Sequence, residues 1–181
     1  MGCCIKPRTQ ADMVCTEFEI NLISAKNLKD GKVFSRKVYA RVSIGGGTEK
    51  QSWVDTNNGT NPSWHFNTIH TIDESSVQNP CTMLVIKLYS QRWIGDRYIG
   101  EVHVSLKELK DQAPKGSNTV DYKVKKGSEY SQGTLKFSYR FGGTMKADDD
   151  DEKPISCKRA LHGAVMLAFS TSLNFLFGIP I

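Results

Sequence analysis

Three stretches of this chain alternate apolar and polar residues: Phe18-Ile20-Leu22, Val38-Ala40-Val42-Ile44 and Leu135-Phe137-Tyr139-Phe141. Successive side chains of a strand point to opposite faces, so each stretch gathers its apolar groups on one side. Such a strand is covered on one face and wet on the other, which requires sheets packed face to face. The predicted strands are Phe18 to Ser24, Val38 to Ile44, Lys50 to Val54, Trp64 to Ile72, Thr82 to Ser90, Tyr98 to Ser105, Thr119 to Lys125 and Thr134 to Phe141. Met83 to Ile86 is apolar throughout, which suits a central strand buried on both faces, although a buried helical turn reads the same way.

The connections have their own chemistry. Gly45-Gly46-Gly47 predicts a hairpin turn. In Asp55 to Phe66, DTNNGTNPSWHF, Gly59 accepts positive φ and Pro62 holds Asn61 extended. Trp64 and Phe66 stand two apart, so the loop is expected to deliver two largely buried aromatic anchors to one face of the next strand. Ser105 and Glu108 have capping-box spacing, predicting a short helix from Leu106 to Lys110.

Taken in order, FEINLISAKNLKD (Phe18 to Asp30), VYARVSI (Val38 to Ile44), GTNPSWHF (Gly59 to Phe66), YIGEVHVSLKELKD (Tyr98 to Asp111) and GTLKFSYRFGG (Gly133 to Gly143) resemble a C2 domain, the calcium- and phospholipid-binding β-sandwich family. The pattern is similar to small plant single-C2 proteins of the cold-regulated and copine-associated type. The resemblance implies an all-β, eight-stranded antiparallel sandwich with one short helix between the sixth and seventh strands. The expected organisation is an acylation segment at 1–16, a C2 domain at 17–143, a charged linker at 144–159 and an apolar tail at 160–181.

Charge is spread unevenly. From Phe18 to Gly143 there are 18 Lys and Arg against 12 Asp and Glu, whereas Asp148 to Glu152 is unbroken acid. The domain is therefore basic, as either a soluble surface or attraction to an anionic surface would have it. Nucleic-acid motifs are absent. Of the five cysteines Cys3, Cys4, Cys15, Cys81 and Cys157, none forms a CxxC pair, and MGCCIKPRTQADM has no apolar leader core. A reducing, cytosol-facing location with free or acylated thiols is expected.

Gly2, freed by loss of Met1, offers the α-amine that N-myristoylation uses, although Lys6 stands where the motif prefers Ser or Thr. One such chain anchors only marginally; Cys3 and Cys4 are placed for palmitate as the second signal. Ala160 to Ile181 is long enough to cross a bilayer behind Lys158-Arg159, but His162, Asn174 and Ser170-Thr171-Ser172 also fit an amphipathic tail.

In the resembled family, loop aspartates hold calcium in a cage of hard oxygens. Here Asp30 matches the first position, but Lys37 holds the second, Ser90 and Arg92 take the next two, and Asp96 or Arg97 the last. Two carboxylates, Asp30 and Asp96, are too few for the cage, so calcium is expected to bind weakly or not at all. Lys37, Arg92 and Arg97 can instead meet lipid phosphate directly. Trp93 and Ile94 either reach the headgroup zone or pack under their own loop.

Catalysis has no motif: there is no GxSxG elbow, and the triple glycine lacks the Lys-Ser/Thr of a phosphate loop. The expectation is a non-enzymatic adaptor on the cytosolic face of a membrane, the plasma membrane or an endomembrane, that binds anionic phospholipid largely without calcium. The resemblance implies stress or defence signalling and a protein partner such as a copine. A calcium-dependent lipid sensor and a soluble interaction module are the alternatives.

Overall fold

The computed structural model describes residues 14–28, 37–113 and 116–146. Within them, eight strands run β1 (Val14–Lys26), β2 (Val38–Ile44), β3 (Lys50–Gln51), β4 (Ser63–Asp73), β5 (Met83–Ser90), β6 (Arg97–Ser105), β7 (Ser117–Lys126) and β8 (Glu129–Lys146), with helices α1 (Glu74–Gln78) and α2 (Leu106–Gln112). The ladder order is β3-β2-β5-β6-β7-β8-β1-β4, antiparallel throughout. One residue pair, Glu101 with Lys125, carries the β6–β7 link. The ladder thus folds into two four-stranded sheets, β4-β1-β8-β7 and β3-β2-β5-β6, as the alternation requires.

Phe18, Ile20 and Leu22 of β1 line one side of this core beside Leu135, Phe137 and Tyr139 of the neighbouring β8, and the β2 and β5 residues Ala40, Val42, Leu84, Ile86 and Leu88 line the other. The β5 run is not buried on both sides: Leu84, Ile86 and Leu88 are interior, while Met83 and Val85 are only half-buried on the outer face. β5 does lie inside its sheet, between β2 and β6, but among the described residues no second layer covers that outer face.

Further expectations need correction. Val14 to Thr16 belong to β1 and Lys146 to β8, where Val14 pairs with Lys146; Thr16 is buried and its Oγ1 donates to the Gly142 carbonyl at 3.2 Å. Helix α1 has no counterpart in the sequence reading, because a five-residue turn with one buried residue, Val77, has no readable period. The capping box does not form: Ser105 has an extended N-cap backbone but makes no side-chain cap bond. Glu108 instead accepts from Gln112 Nε2 and the Tyr122 hydroxyl. Cys81, exposed in the β4–β5 connection, is disulfide-bonded rather than free.

The glycine hairpin forms as expected. Gly45 and Gly46 have φ of 56° and 76°, and the Gly47 N–H donates to the Ile44 carbonyl at 2.9 Å. That is the two-residue primed turn whose twist matches the flanking strands.

The strand directions define two poles. The antiparallel pairings place the ends of β1, β3, β5 and β7 and the starts of β2, β4, β6 and β8 together at one pole, and Val14 with Lys146 at the other.

Candidate functional site: the loop pole

Asp55 organises the β3–β4 loop at this pole. Only 8% exposed, its carboxylate accepts the N–H groups of Asn57 at 2.8 Å, Asn58 at 3.0 Å and Ser63 at 2.7 Å, together with Asn58 Nδ2 at 2.7 Å. Burial pushes the carboxyl up, but these four donors outweigh it and leave the group below its ordinary range. The loop is tied to the end of β1 by Leu28 N–H to the Thr60 carbonyl at 3.0 Å and Asn27 N–H to Asn61 Oδ1 at 2.9 Å.

The two expected anchors differ in depth. Trp64 is 3% exposed, and its indole N–H donates to the Val38 carbonyl at 3.0 Å, pinning one sheet to the other. Phe66 is only partly buried. His65, with φ of 47°, sits in a register irregularity of β4 between the pairings with Leu22 and Ser24, and Trp64 and Phe66 still share a face. Trp53, 59% exposed, covers Phe66 edge-on at 5.2 Å.

Residues 91–96 connect β5 to β6 and are mostly exposed. Trp93 is 100% exposed and Ile94 89% exposed, so Trp93 does not pack under its own loop. Gly95, with φ of 69°, lets the chain turn back. At the base, the Gln91 N–H donates to the Lys37 carbonyl at 2.8 Å. Lys37 is exposed, while Arg92 and Arg97 are half-buried on either side of the tip.

The ligand set at the calcium positions does not fit a cage among the described residues. Ser90 is fully buried on the core side of β5, Lys37 and Arg92 are cations, and Asp96 is engaged elsewhere. Asp96 Oδ2 accepts the Tyr39 hydroxyl at 2.6 Å and Oδ1 the Arg92 N–H at 3.3 Å. Burial, then this bond to Asp96, pushes the Tyr39 hydroxyl up to about 12, so it remains a donor at neutral pH. No group of three or more His, Cys, Asp or Glu among the described residues is placed to hold a metal.

The structure thus brings Lys37, Arg92, Trp93, Asp96 and Arg97 to one pole. Gly2, Cys3, Cys4, Asp30 and the tail at 160–181 lie outside the described residues, and among those described no helix is long and apolar enough to cross a membrane. Sequence reasoning missed the β7–β8 hairpin at the same pole. There Lys125 and Lys126 are exposed, Gly127 turns with φ of 63°, and the Lys125 ammonium lies 4.5 Å from the centre of the exposed Tyr130 ring. Adjacent lysines before a Gly turn and an aromatic were the available signal.

Comparison with known proteins agrees with this geometry. The C2 domain family model matches residues 16–120. Protein SRC2 of Glycine max is 40% identical over 136 residues, covering 71% of this chain and 47% of that protein. The Protein SRC2 homolog of Arabidopsis thaliana is 38% identical over 136 residues, covering 72% and 42%. The chain therefore spans less than half the length of either relative. Among solved structures, a C2 domain of plant Extended Synaptotagmin 1 superposes with a TM-score of 0.55 at 15% identity, over 75% of this chain and 97% of that one. The paired C2 domains of Extended-Synaptotagmin 2 give 0.60 at 16% identity, over 78% and 46%. At such identities the likeness is one of fold.

Proposed function

The chain belongs to the C2 domain family, and on that premise we propose that it is a non-enzymatic adaptor that docks its loop pole on anionic phospholipid without needing calcium. The observation that carries this reading is the tip of loop 91–96: a fully exposed Trp93 beside an exposed Ile94, with Arg92 and Arg97 on its flanks and Lys37 at its base. Trp favours the headgroup zone, and each basic side chain near an anionic bilayer contributes about 1 kcal/mol. Three such cations raise partitioning on the order of a hundredfold. Asp96, bonded to Tyr39, leaves the described loops without a carboxylate set that calcium would bridge to lipid.

Acylation at Gly2, Cys3 and Cys4 supplies the steady tether in this reading, and the docking pole supplies lipid selectivity. Together they favour the cytosolic face of the plasma membrane, whose inner leaflet is rich in anionic lipid.

Co-sedimentation of the full chain with phosphatidylserine-containing and purely phosphatidylcholine vesicles tests the docking. Binding to the anionic vesicles in chelator, weakened by salt and lost in a Trp93→Ser, Arg92→Asp double variant, is the expected result. Binding seen only with calcium would establish the calcium sensor instead, and equal binding to both vesicle types would remove the electrostatic basis. For the tether, mass spectrometry of protein from eukaryotic cells should find Gly2 myristoylated; an unmodified glycine refutes that part.

A further inference from the structure

Asp96 stands at or next to the last loop position where the resembled family keeps a metal ligand, yet both its oxygens serve the protein. One accepts the Arg92 N–H at 3.3 Å, closing the loop across its own base; the other accepts the Tyr39 hydroxyl at 2.6 Å, fastening the loop to β2. The Gln91 N–H on the Lys37 carbonyl is a second fastening beside it. Tyr39 is itself held: it is 1% exposed, its ring stacks on Tyr89 at 5.5 Å and 16°, and Tyr89 meets Tyr98 edge-on at 5.8 Å. The Arg41 guanidinium lies over both stacked rings, at 5.5 and 5.0 Å from their centres. Tyr89 is the last residue but one of β5 and Tyr98 the second of β6, so the rings under the clamp are the two stems of the loop.

We infer that Tyr39 and Asp96 form a clamp, independent of metal, that positions the Trp93–Ile94 finger for entry into an anionic bilayer. The inference rests on the lipid-docking reading above. A short apolar finger gains affinity only after the entropy of fixing it is met, so a finger fixed at folding binds tighter than the same residues on a loose loop. The clamp achieves this with a carboxylate that bears a repulsive charge toward anionic lipid. Removing the charge and removing the clamp therefore act in opposite directions, which makes the two separable. Tyr39 and Asp96 are positioning residues; Trp93 and Ile94 make the contact.

The test uses the full chain, phosphatidylserine–phosphatidylcholine vesicles, and three variants in chelator. Tyr39→Phe deletes one hydroxyl and no charge; partitioning should fall about five- to tenfold with an unchanged salt dependence, because the cations are untouched. Asp96→Asn keeps an acceptor and sheds the charge, whereas Asp96→Ala loses both, so the Ala variant should bind several-fold more weakly than the Asn variant. A thermal melt checks that Tyr39→Phe stays folded; Asp96 is exposed, and its pair of variants stands without that check. In the absence of lipid, 15N relaxation at the Trp93 and Ile94 amides should report a rigid tip in the parent and a mobile one in Tyr39→Phe. Three results overturn the clamp: a tip equally rigid in both proteins, a mobile tip with undiminished binding, or Asp96→Ala binding as tightly as Asp96→Asn. A parent that ignores anionic vesicles refutes the docking reading and the clamp's role with it, whereas a parent that binds while the variants match it refutes the clamp alone.

Discussion

Asp55 Oδ2 accepts the backbone N–H of Ser63 at 2.7 Å, eight positions further along the chain. That bond, with three others to the same carboxylate, turns the polar loop before Trp64 into a fixed hook at the mouth of the sandwich. Burial of the carboxylate is tolerable only because its lone pairs are filled; without them the loop's N–H groups would be left unpaired.

Asp55→Ala should therefore cost about 2–4 kcal/mol of unfolding free energy, the range for breaking a buried charged network. The folded carboxyl titrates below its ordinary value, so its contribution is present above the unfolded pKa and is lost as pH falls through the lower, folded one. Denaturant titrations at pH 7 and pH 3 should show the variant closer to the parent at the lower pH. A constant difference would mean that the carboxylate charge plays no part.

His70 governs a second window. It packs half-buried in β4, its Nε2 has no hydrogen-bond partner among the described residues, and burial followed by nearby Lys50 lowers it from 6.5 to about 4. Between those values the unfolded chain binds more protons than the folded one, so stability rises with pH there and declines as pH drops from 6.5 toward 4. Allowing for solvent reaching the ring, the loss by pH 5 is about 1–2 kcal/mol. His70→Gln should flatten this slope in denaturant midpoints taken from pH 7 to pH 5; an identical slope assigns it to other groups.

Much of this fold was legible because its strands alternate. Phe18-Ile20-Leu22 and Leu135-Phe137-Tyr139-Phe141 each bury one face, and the period announces it. The Trp93 loop was legible as a candidate site, since cations stand there where the resembled family keeps carboxylates. The Tyr39–Asp96 bond was not: the partners lie 57 positions apart and meet only because β2 and β5 pair. The His65 bulge was equally hidden, since a positive φ at a non-glycine residue leaves no mark in the hydrophobic pattern. Nor does the pattern tell Trp64 from Phe66, alike in sequence but unequal in burial.

That difference predicts unequal costs. Trp64→Ala removes a buried indole and its bond to Val38, and should cost about 3–5 kcal/mol. Phe66→Ala, with Trp53 able to settle into the gap, should cost about 1–2 kcal/mol less. Matched denaturation curves decide it, and equal midpoints for the two variants would show that the difference in burial has no energetic consequence.

Gly100 lies where the two sheets join. A Cβ built there would stand 2.6 Å from the Lys125 carbonyl oxygen and 2.7 Å from Val124 Cγ1. Since Glu101 with Lys125 is the paired position between β6 and β7, backbone must move to admit even a methyl group. Gly100→Ala should destabilise by about 1–3 kcal/mol, as overpacking does, and should raise hydrogen exchange at the Lys125 amide before the rest of β7. Unchanged exchange there would place the contact outside the cooperative core.

The β7–β8 hairpin extends the lipid-docking reading beyond the residues first singled out for it. Lys125 and Lys126 lead into a tight turn at the pole that carries Trp93, and the Lys125 ammonium over the Tyr130 ring pairs a cation with an exposed aromatic. If the pole meets the bilayer broadly, both lysines reach the anionic surface; if only the Trp93 tip touches, they remain in bulk solvent. At about 1 kcal/mol each, Lys125→Ala with Lys126→Ala should then lower partitioning roughly thirtyfold at low salt, and less as screening rises. Co-sedimentation with phosphatidylserine vesicles across a salt series distinguishes the two geometries. A double variant that binds like its parent at every salt concentration confines docking to the β5–β6 loop.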